Sequence, residues 1–266
     1  MATSLVIKAG SSIFQDSDCF ASVADLVVPI AQSVDHLFFV VSAVKGETDR
    51  TIDQIAGSER AILDAALQGR IAEHAQKWNN PDIAQQLVEP ENYSARMLAE
   101  ALHERGISVR ALQHGALYPL FGYEKSSYLY AMHDKHANGR YVSSFLGSEN
   151  VTVIPGFGVR NIRGEIMCTG RGSSDVTAVV FAEALGIPEV IYWKDSGGIW
   201  RNPQNPQEGV FDIMSREQVR RSERILDSRV YQFRGGIRVT LPGKIDGGTY
   251  IQPPQLIKDD GIPFTC

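Results

Sequence analysis

The sequence predicts an α/β protein, a three-layer α/β/α sandwich whose central sheet is mostly parallel. Three observations carry that expectation. Short β-branched runs alternate repeatedly with longer helical patterns, the signature of strands joined by crossover helices. One run, His36 to Ala43 (HLFFVVSA), is almost wholly apolar, as expected of a strand buried on both faces. Glycine- and serine-rich turns follow the strands: Lys8 to Ser12, Ser42 to Asp49, Gly170 to Asp175 and Lys194 to Gly198. In an open parallel sheet, such turns at the carboxyl ends of strands gather on one edge, where ligands bind.

Taken in order, Ser4 to Lys8 reads as a strand ending in a small-residue turn. Val23, Leu26, Val27 and Ile30 then recur at helical spacing and predict a helix over Cys19 to Ser33. Beyond the strand at 36–43, Thr51 to Leu87 reads as helices with few breakers, and Asn92 to Arg105 as a separate helix before a strand at Ser108 to Leu112. The segment Gly115 to Arg140, rich in Tyr and Gly, supports no single assignment. Val151 to Ile154 is a strand, Asn161 to Gly164 the turn of a hairpin, Ser174 to Leu185 an Ala-rich helix and Glu189 to Trp193 a strand. Asn202 to Gly209, with two prolines, is a loop. Ser215 to Ser222 is helical, and Ile237 to Leu241 and Thr249 to Gln252 are late strands. There is no internal repeat, low-complexity tract or linker.

With 266 residues the chain can bury a substantial core. The net charge of −5 argues against a nucleic-acid partner held by bulk charge. No run approaches the roughly 20 apolar residues of a membrane span, and the N-terminus has no basic, cleavable leader pattern. Cys19, Cys168 and Cys266 are odd in number and widely spaced, which suggests neither a disulfide framework nor a metal-type pair. The expectation is a cytoplasmic protein with no nucleic-acid or membrane partner.

The most informative stretch is Gly170-Arg171-Gly172-Ser173-Ser174-Asp175, between a β-hairpin and the Ala-rich helix. A helix N-terminus offers free N–H groups and the positive end of the dipole to an anion. Arg171 and Asp175 flank the turn with opposite charges, which suits a zwitterion or a phosphate; the bland alternative is a helix-capping ion pair. In the first turn, Lys8 precedes Gly10, Ser11 and Ser12, so a cation sits beside backbone donors. The order is neither a P-loop nor a dinucleotide fingerprint. His133-Asp134-Lys135-His136 lacks further ligands nearby and reads as a polar loop, and the five aromatics between Tyr118 and Tyr130 read as core or interface packing.

Together the turns resemble the amino-acid kinase superfamily, and within it the catalytic domain of aspartate kinases. Lys8-Ala9-Gly10-Ser11-Ser12 resembles K-x-G-G-[ST], with Ser11 at the second Gly. Val41 to Asp49 (VSAVKGETD) resembles V-S-A-M-x-G-x-T-D. Glu91 to Arg96 resembles G-E-x-x-S-[AT]-x, with Pro90 at the Gly. Gly170 to Asp175 resembles G-R-G-G-S-D, and Trp193 to Trp200 (WKDSGGIW) resembles W-T-D-V-D-G-I-Y. The motifs run in family order along nearly the whole chain.

The resemblance implies the carbamate kinase-like fold as a single domain over 1–266. In it, 1–150 form an acceptor-binding and dimerisation lobe and 151–266 a nucleotide-binding lobe. It implies transfer of the ATP γ-phosphoryl to an acidic amino acid's side-chain carboxylate, aspartate first, with Mg²⁺ bridging the phosphates and a homodimer as the assembly. Lys8 would stabilise the transferring phosphoryl and Asp175 orient Lys8 or meet the substrate ammonium. Arg171 would grip a substrate carboxylate, Glu91 the α-amino group, and Ser42, Thr48 and Ser174 would complete the acceptor site. Gly10, Ser11, Ser12, Lys194, Asp195, Gly198 and Trp200 would hold the nucleotide, with Arg224 at a phosphate. For Glu91, ordinary chemistry at a helix N-terminus is the competing reading. Lys194 stands where the family more often has Thr, and Gly197 where it often has Asp. The family usually carries C-terminal ACT regulatory domains; the chain ends soon after the last expected strand, so none is expected. Two other readings stay open: a different acceptor (glutamate, a modified amino acid or a nucleoside monophosphate), or a catalytically degenerate ligand-binding regulator.

Overall fold

The computed structural model describes residues 3–70, 76–145, 147–221 and 225–254. The chain opens with β1 (Ser4–Ala9), α1 (Cys19–Ala31), β2 (His36–Val41), α2 (Glu47–Ala56) and α3 (Arg60–Leu67). A long helix, α4 (Pro81–His103), leads to β3 (Val109–Ala111), a hairpin of β4 (Gly122–Ser127) and β5 (Tyr130–His133), and α5 (Lys135–Tyr141). Then come β6 (Val151–Pro155), the hairpin β7 (Gly158–Arg160) and β8 (Ile166–Cys168), α6 (Ser174–Leu185) and β9 (Glu189–Trp193). The order closes with β10 (Ile213–Met214), α7 (Arg216–Arg221), β11 (Gly236–Thr240) and β12 (Thr249–Ile251).

Eight strands form the central sheet in the order β10-β12-β11-β9-β1-β2-β6-β3. Every neighbouring pair is parallel except β11 with β12. Alternation of side chains along each strand divides the core. Val6, Phe38, Val40, Ile154, Val190 and Tyr192 pack with Val176, Val179 and Phe181 of α6. Ile7, Ala9, Phe39, Val41, Ile191 and Trp193 take the opposite face, against Phe20, Val23 and Val27 of α1 and Leu98 and Leu102 of α4. The three expected layers are therefore present, with β1 near the middle. No helix among the described residues is long and apolar enough to cross a membrane.

Three differences from the sequence reading have physical causes. Asn92 to Arg105 is not a separate helix but the second half of α4. Asn80 caps α4 through its side chain, which accepts from Ile83 N–H at 3.0 Å, and Pro81 follows where a missing N–H costs nothing. The helix then runs through Pro90 because both halves bury an apolar face, Leu87 and Val88 before the proline and Ala95 and Leu98 after it. The ambiguous middle resolves into the β4–β5 hairpin. His133 and His136 lie at the end of β5 and the start of α5 rather than in a loop; Asp134 caps α5, accepting from the N–H groups of His136 and Ala137, each at 3.0 Å. A two-residue strand, β10, extends the sheet beyond β12, too short for a periodicity to show.

Candidate active site

The ends of β1, β2, β6 and β9 converge with the N-terminus of α6. The turn feeding that helix is fixed by close packing. Gly170 has φ +90°, and a Cβ there would lie 2.8 Å from the Tyr130 ring and 3.0 Å from the Leu67 carbonyl oxygen, so only glycine fits. Arg171 N–H donates to Leu67 O at 3.0 Å, which ties the turn to the end of α3.

Lys8 points from β1 toward α6 and meets Asp175 there, Nζ to Oδ1 at 2.5 Å, with side-chain exposures of 5% and 8%. Asp175 Oδ2 also accepts from Asp227 N–H at 3.2 Å, and the Asp175 carbonyl accepts from the Tyr192 hydroxyl at 2.7 Å. Burial alone would raise the Asp175 carboxyl. The charges of Lys8 and Lys194 outweigh it, so the group lies below its ordinary value and stays ionised.

Glu91 reaches the same place from α4. It is buried, and its Oε1 accepts from Ser174 Oγ at 2.6 Å, whereas Oε2 has no hydrogen-bond partner of normal geometry. Burial pushes its carboxyl up to about 7; the Ser174 hydroxyl, the Lys8 charge and the nearby amides of Gly156 and Ala43 oppose that rise. Because α4 is continuous, Glu91 sits mid-helix, and the N-terminal capping reading does not apply. Gly156, at the end of β6, makes room for it: a Cβ there would lie 2.5 Å from Ser174 Cβ and 2.8 Å from Glu91 Oε2.

Three cavities meet at this edge. The first, about 190 Å³, is lined by Ser11, Ser42, Thr48, Asp49, Glu91, Phe157, Arg171, Gly172 and Ser174. The second, about 280 Å³, holds Lys8, Gly10, Ser11, Ser12, Asp175 and Lys194 and shares Ser11, Ser42, Gly172 and Ser174 with the first. The third, about 750 Å³, runs from Lys194 and Asp195 past Ile199, Trp200 and Phe211 to Met214 and Ile225. Lys8, Ser42, Thr48, Glu91, Arg171, Ser174 and Asp175 are thus brought together around the first two cavities, and Lys194, Asp195 and Trp200 line the third. Gly198 does not line it; there the backbone passes Thr249 and Val210, 2.8 and 2.9 Å from where a Cβ would stand. Arg224 lies outside the described residues.

Arg171 does not pair with Asp175. Its Nη2 lies 2.5 Å from Asp49 Oδ1 and its Nε 3.0 Å from Asp64 Oδ1. Asp49 also accepts from Arg60 Nη2 at 2.6 Å. These carboxylates aim the guanidinium across the cavity mouth. Asp49 closes the Val41 to Asp49 motif with no role implied for it, and Asp64, within a helical run, carries no sequence signal. Gly156 carries no local signal, because its importance lies in how closely other elements approach it.

The sequence profile of the amino acid kinase family matches residues 3–239. The aspartate kinase of Pseudomonas fluorescens (strain SBW25) is 25% identical over 257 residues, covering 89% of this chain and 54% of the relative. An aspartokinase of Pseudomonas aeruginosa is 25% identical over 251 residues, with the same coverage of 89% and 54%. The chain therefore spans about half the length of these curated relatives. Among solved structures, E. coli aspartokinase III in complex with aspartate and ADP is similar at a TM-score of 0.71 and 20% identity, over 93% of this chain and 64% of that one. The isopentenyl phosphate kinase of T. acidophilum is similar at 0.54 and 13% identity, over 94% and 100%. At such identities the structural likeness speaks for the fold. The family profile spans most of the sequence, and the chain belongs to the amino acid kinase family.

Proposed function

We propose that the chain transfers the γ-phosphoryl group of ATP to the side-chain carboxylate of an acidic amino acid, aspartate before others, giving an acyl phosphate. The observation that carries this reading is the junction of the first two cavities. A buried carboxylate, Glu91, and a guanidinium, Arg171, face the same small space whose other end is the Lys8–Asp175 pair. A zwitterion with a second carboxylate matches that arrangement. Glu91 binds the ammonium, Arg171 exchanges its contact with Asp49 for the α-carboxylate, which its planar fork suits, and the side-chain carboxylate is left pointing toward Lys8. At about 190 Å³ the acceptor cavity is smaller than the ~300–1,000 Å³ of drug-sized ligand sites. That size, and Glu91 and Asp49 in its lining, disfavour a nucleoside monophosphate. The printed ligands of the E. coli relative, aspartate and ADP, support the same reading.

Phosphoryl transfer of this kind asks for positioning and charge neutralisation rather than covalent chemistry from the protein. Lys8 holds the transferring group while Asp175 fixes Lys8. Gly10, Ser11 and Ser12 bring backbone donors to the phosphate oxygens, and the positive end of α6 adds to them. Ile199, Trp200 and Phe211 offer the third cavity an apolar lining for the base. Among the described residues no group of three His, Cys, Asp or Glu side chains is placed to hold a metal. Mg²⁺ would enter with the nucleotide at the edge lined by Asp175 and Asp195. When bound it would neutralise charge on the β- and γ-phosphates.

The test is an ATP-dependent hydroxylamine trap across aspartate, glutamate and analogues, which converts acyl phosphates to hydroxamates. Hydroxamate is expected with aspartate. ATP binding without hydroxamate from any acceptor sinks the proposal in favour of a ligand-binding regulator.

A further inference from the structure

The register of the central strands brings two lysines to one carboxylate. β1 and β9 run parallel with Lys8 beside Tyr192 and Ala9 beside Trp193. Lys194, two residues beyond Tyr192, therefore falls on the face that Lys8 occupies. Gly10 is the residue next to it and brings no side chain. A Cβ at Gly10 would lie 3.2 Å from Lys8 Nζ and 3.8 Å from Lys194 Nζ. The two ammonium groups converge over that glycine onto Asp175, Lys8 at 2.5 Å and Lys194 at 3.8 Å.

Lys194 is not needed to hold Asp175. At 3.8 Å it is beyond hydrogen-bond distance, and the carboxylate is already fixed by Lys8 and by the N–H of Asp227. Asp175 is shared between the two cations and Asp195 adds a weaker attraction to Lys194, whose side chain is only 17% exposed. Burial lowers the Lys194 ammonium from its ordinary value and Lys8 lowers it further, against the pull of Asp175. A partly desolvated cation held 3.8 Å from its carboxylate has room for an anion at closer range. Its position says where that anion lies: Lys194 lines both the cavity of Lys8 and the cavity of Trp200, at the passage between them.

We propose that Lys194 is a second transfer cation, contacting the oxygen that bridges the β- and γ-phosphorus atoms of the bound nucleotide. The inference rests on the phosphotransfer reading above and adds a division of labour to it. An acceptor carboxylate oxygen forms its bond to the γ-phosphorus while the bond from that phosphorus to the bridging oxygen breaks. The electron pair stays on the bridging oxygen, which leaves as a terminal oxygen of ADP, and no proton changes hands. Lys8 neutralises the group in transit. Lys194, on the nucleotide side, neutralises the charge that grows on the leaving oxygen, an interaction stronger in the transition state than in the intact triphosphate.

Calorimetric titration tests this without an acceptor. Mg-ATP and Mg-ADP with aluminium fluoride, which mimics the phosphoryl group in flight, are titrated into wild type, Lys194→Met and Lys194→Arg. The aluminium fluoride complex should bind the wild type more tightly than Mg-ATP does. Lys194→Met should lose that tightening by on the order of 10²-fold while its affinity for Mg-ATP changes by less than about threefold, and Lys194→Arg should recover part of it. Equal losses for both ligands would show a uniform nucleotide clamp, and unchanged tightening a spacer; either overturns the proposal, as does a wild type that shows no tightening. A failure of the acceptor reading shows separately, as tightening without any hydroxamate.

Discussion

On the proposed reading acceptor recognition turns on Glu91, whose charge state is set by where it is buried. Burial pushes its carboxyl up to about 7, so near neutrality it is divided between a neutral acid and a carboxylate. Only the carboxylate attracts an ammonium group. As pH falls through about 7 the site loses that charge, and a substrate must pull the proton off to bind. The KM for aspartate should therefore rise by up to about tenfold per pH unit on the acid side, and level off above about 8. Initial-rate kinetics from about pH 5.5 to 8.5 check it. A KM that stays flat in the wild type would remove Glu91 from ammonium binding. Glu91→Gln should give a high, pH-independent KM.

The elements matter through how closely they approach one another. Glu91 on α4 and Ser174 on α6 share a hydrogen bond only because the end of β6 between them is glycine. Gly156→Ala would place a methyl 2.5 Å from Ser174 Cβ and 2.8 Å from Glu91 Oε2. The substitution should lower kcat/KM for the acceptor by about tenfold or more, equivalent to about 1.4 kcal/mol, while ATP affinity measured by titration changes less than about twofold. Parallel losses for both substrates would mean that the whole edge has shifted rather than the acceptor cavity alone. Much at this scale was legible beforehand. The apolar run of β2 and the alternation of strands and helices gave the layers, and the turn glycines marked the edge where the cavities open. The unread parts had physical reasons. Pro90 looked like a helix boundary, but apolar burial on both sides of it carried α4 through. The β4–β5 hairpin carries Glu124 and Lys125 in place of an apolar alternation. The helix-capping pair of Arg171 with Asp175, the bland alternative, does not form, and Arg171 turns to Asp49 and Asp64 on α2 and α3. Contacts between elements so far apart in sequence have no local spacing to betray them.

For the molecule as a whole, the site is held at a cost in stability that pH exposes. Glu91 takes up its proton more readily folded than unfolded, where its carboxyl titrates near 4.5. Its contribution is therefore present in full below about 4.5 and is lost as pH rises through about 7, a decline on the order of 3 kcal/mol. His114 and His133 act in the opposite sense. Burial lowers each to about 3 from an ordinary 6.5, so their contribution is full above about 6.5 and is lost as pH falls. Asp175, held below its ordinary 3.8, adds a further loss only at lower pH still. These opposing slopes leave the wild type most stable near neutrality and hide the share due to Glu91. Comparison with Glu91→Gln isolates it, since the histidines and Asp175 are common to both proteins and cancel. The amide keeps an acceptor for the Ser174 hydroxyl and carries no charge to desolvate. Denaturant unfolding of both proteins at about pH 5 and about pH 8 should show the variant gaining relative to the wild type as pH rises, by about 1–3 kcal/mol, even as its use of aspartate collapses. A difference that stays constant between the two pH values would show that the Glu91 carboxylate is not strained by its burial. A widening difference would show a fold that keeps an unfavourable charge in its interior because acceptor binding requires it.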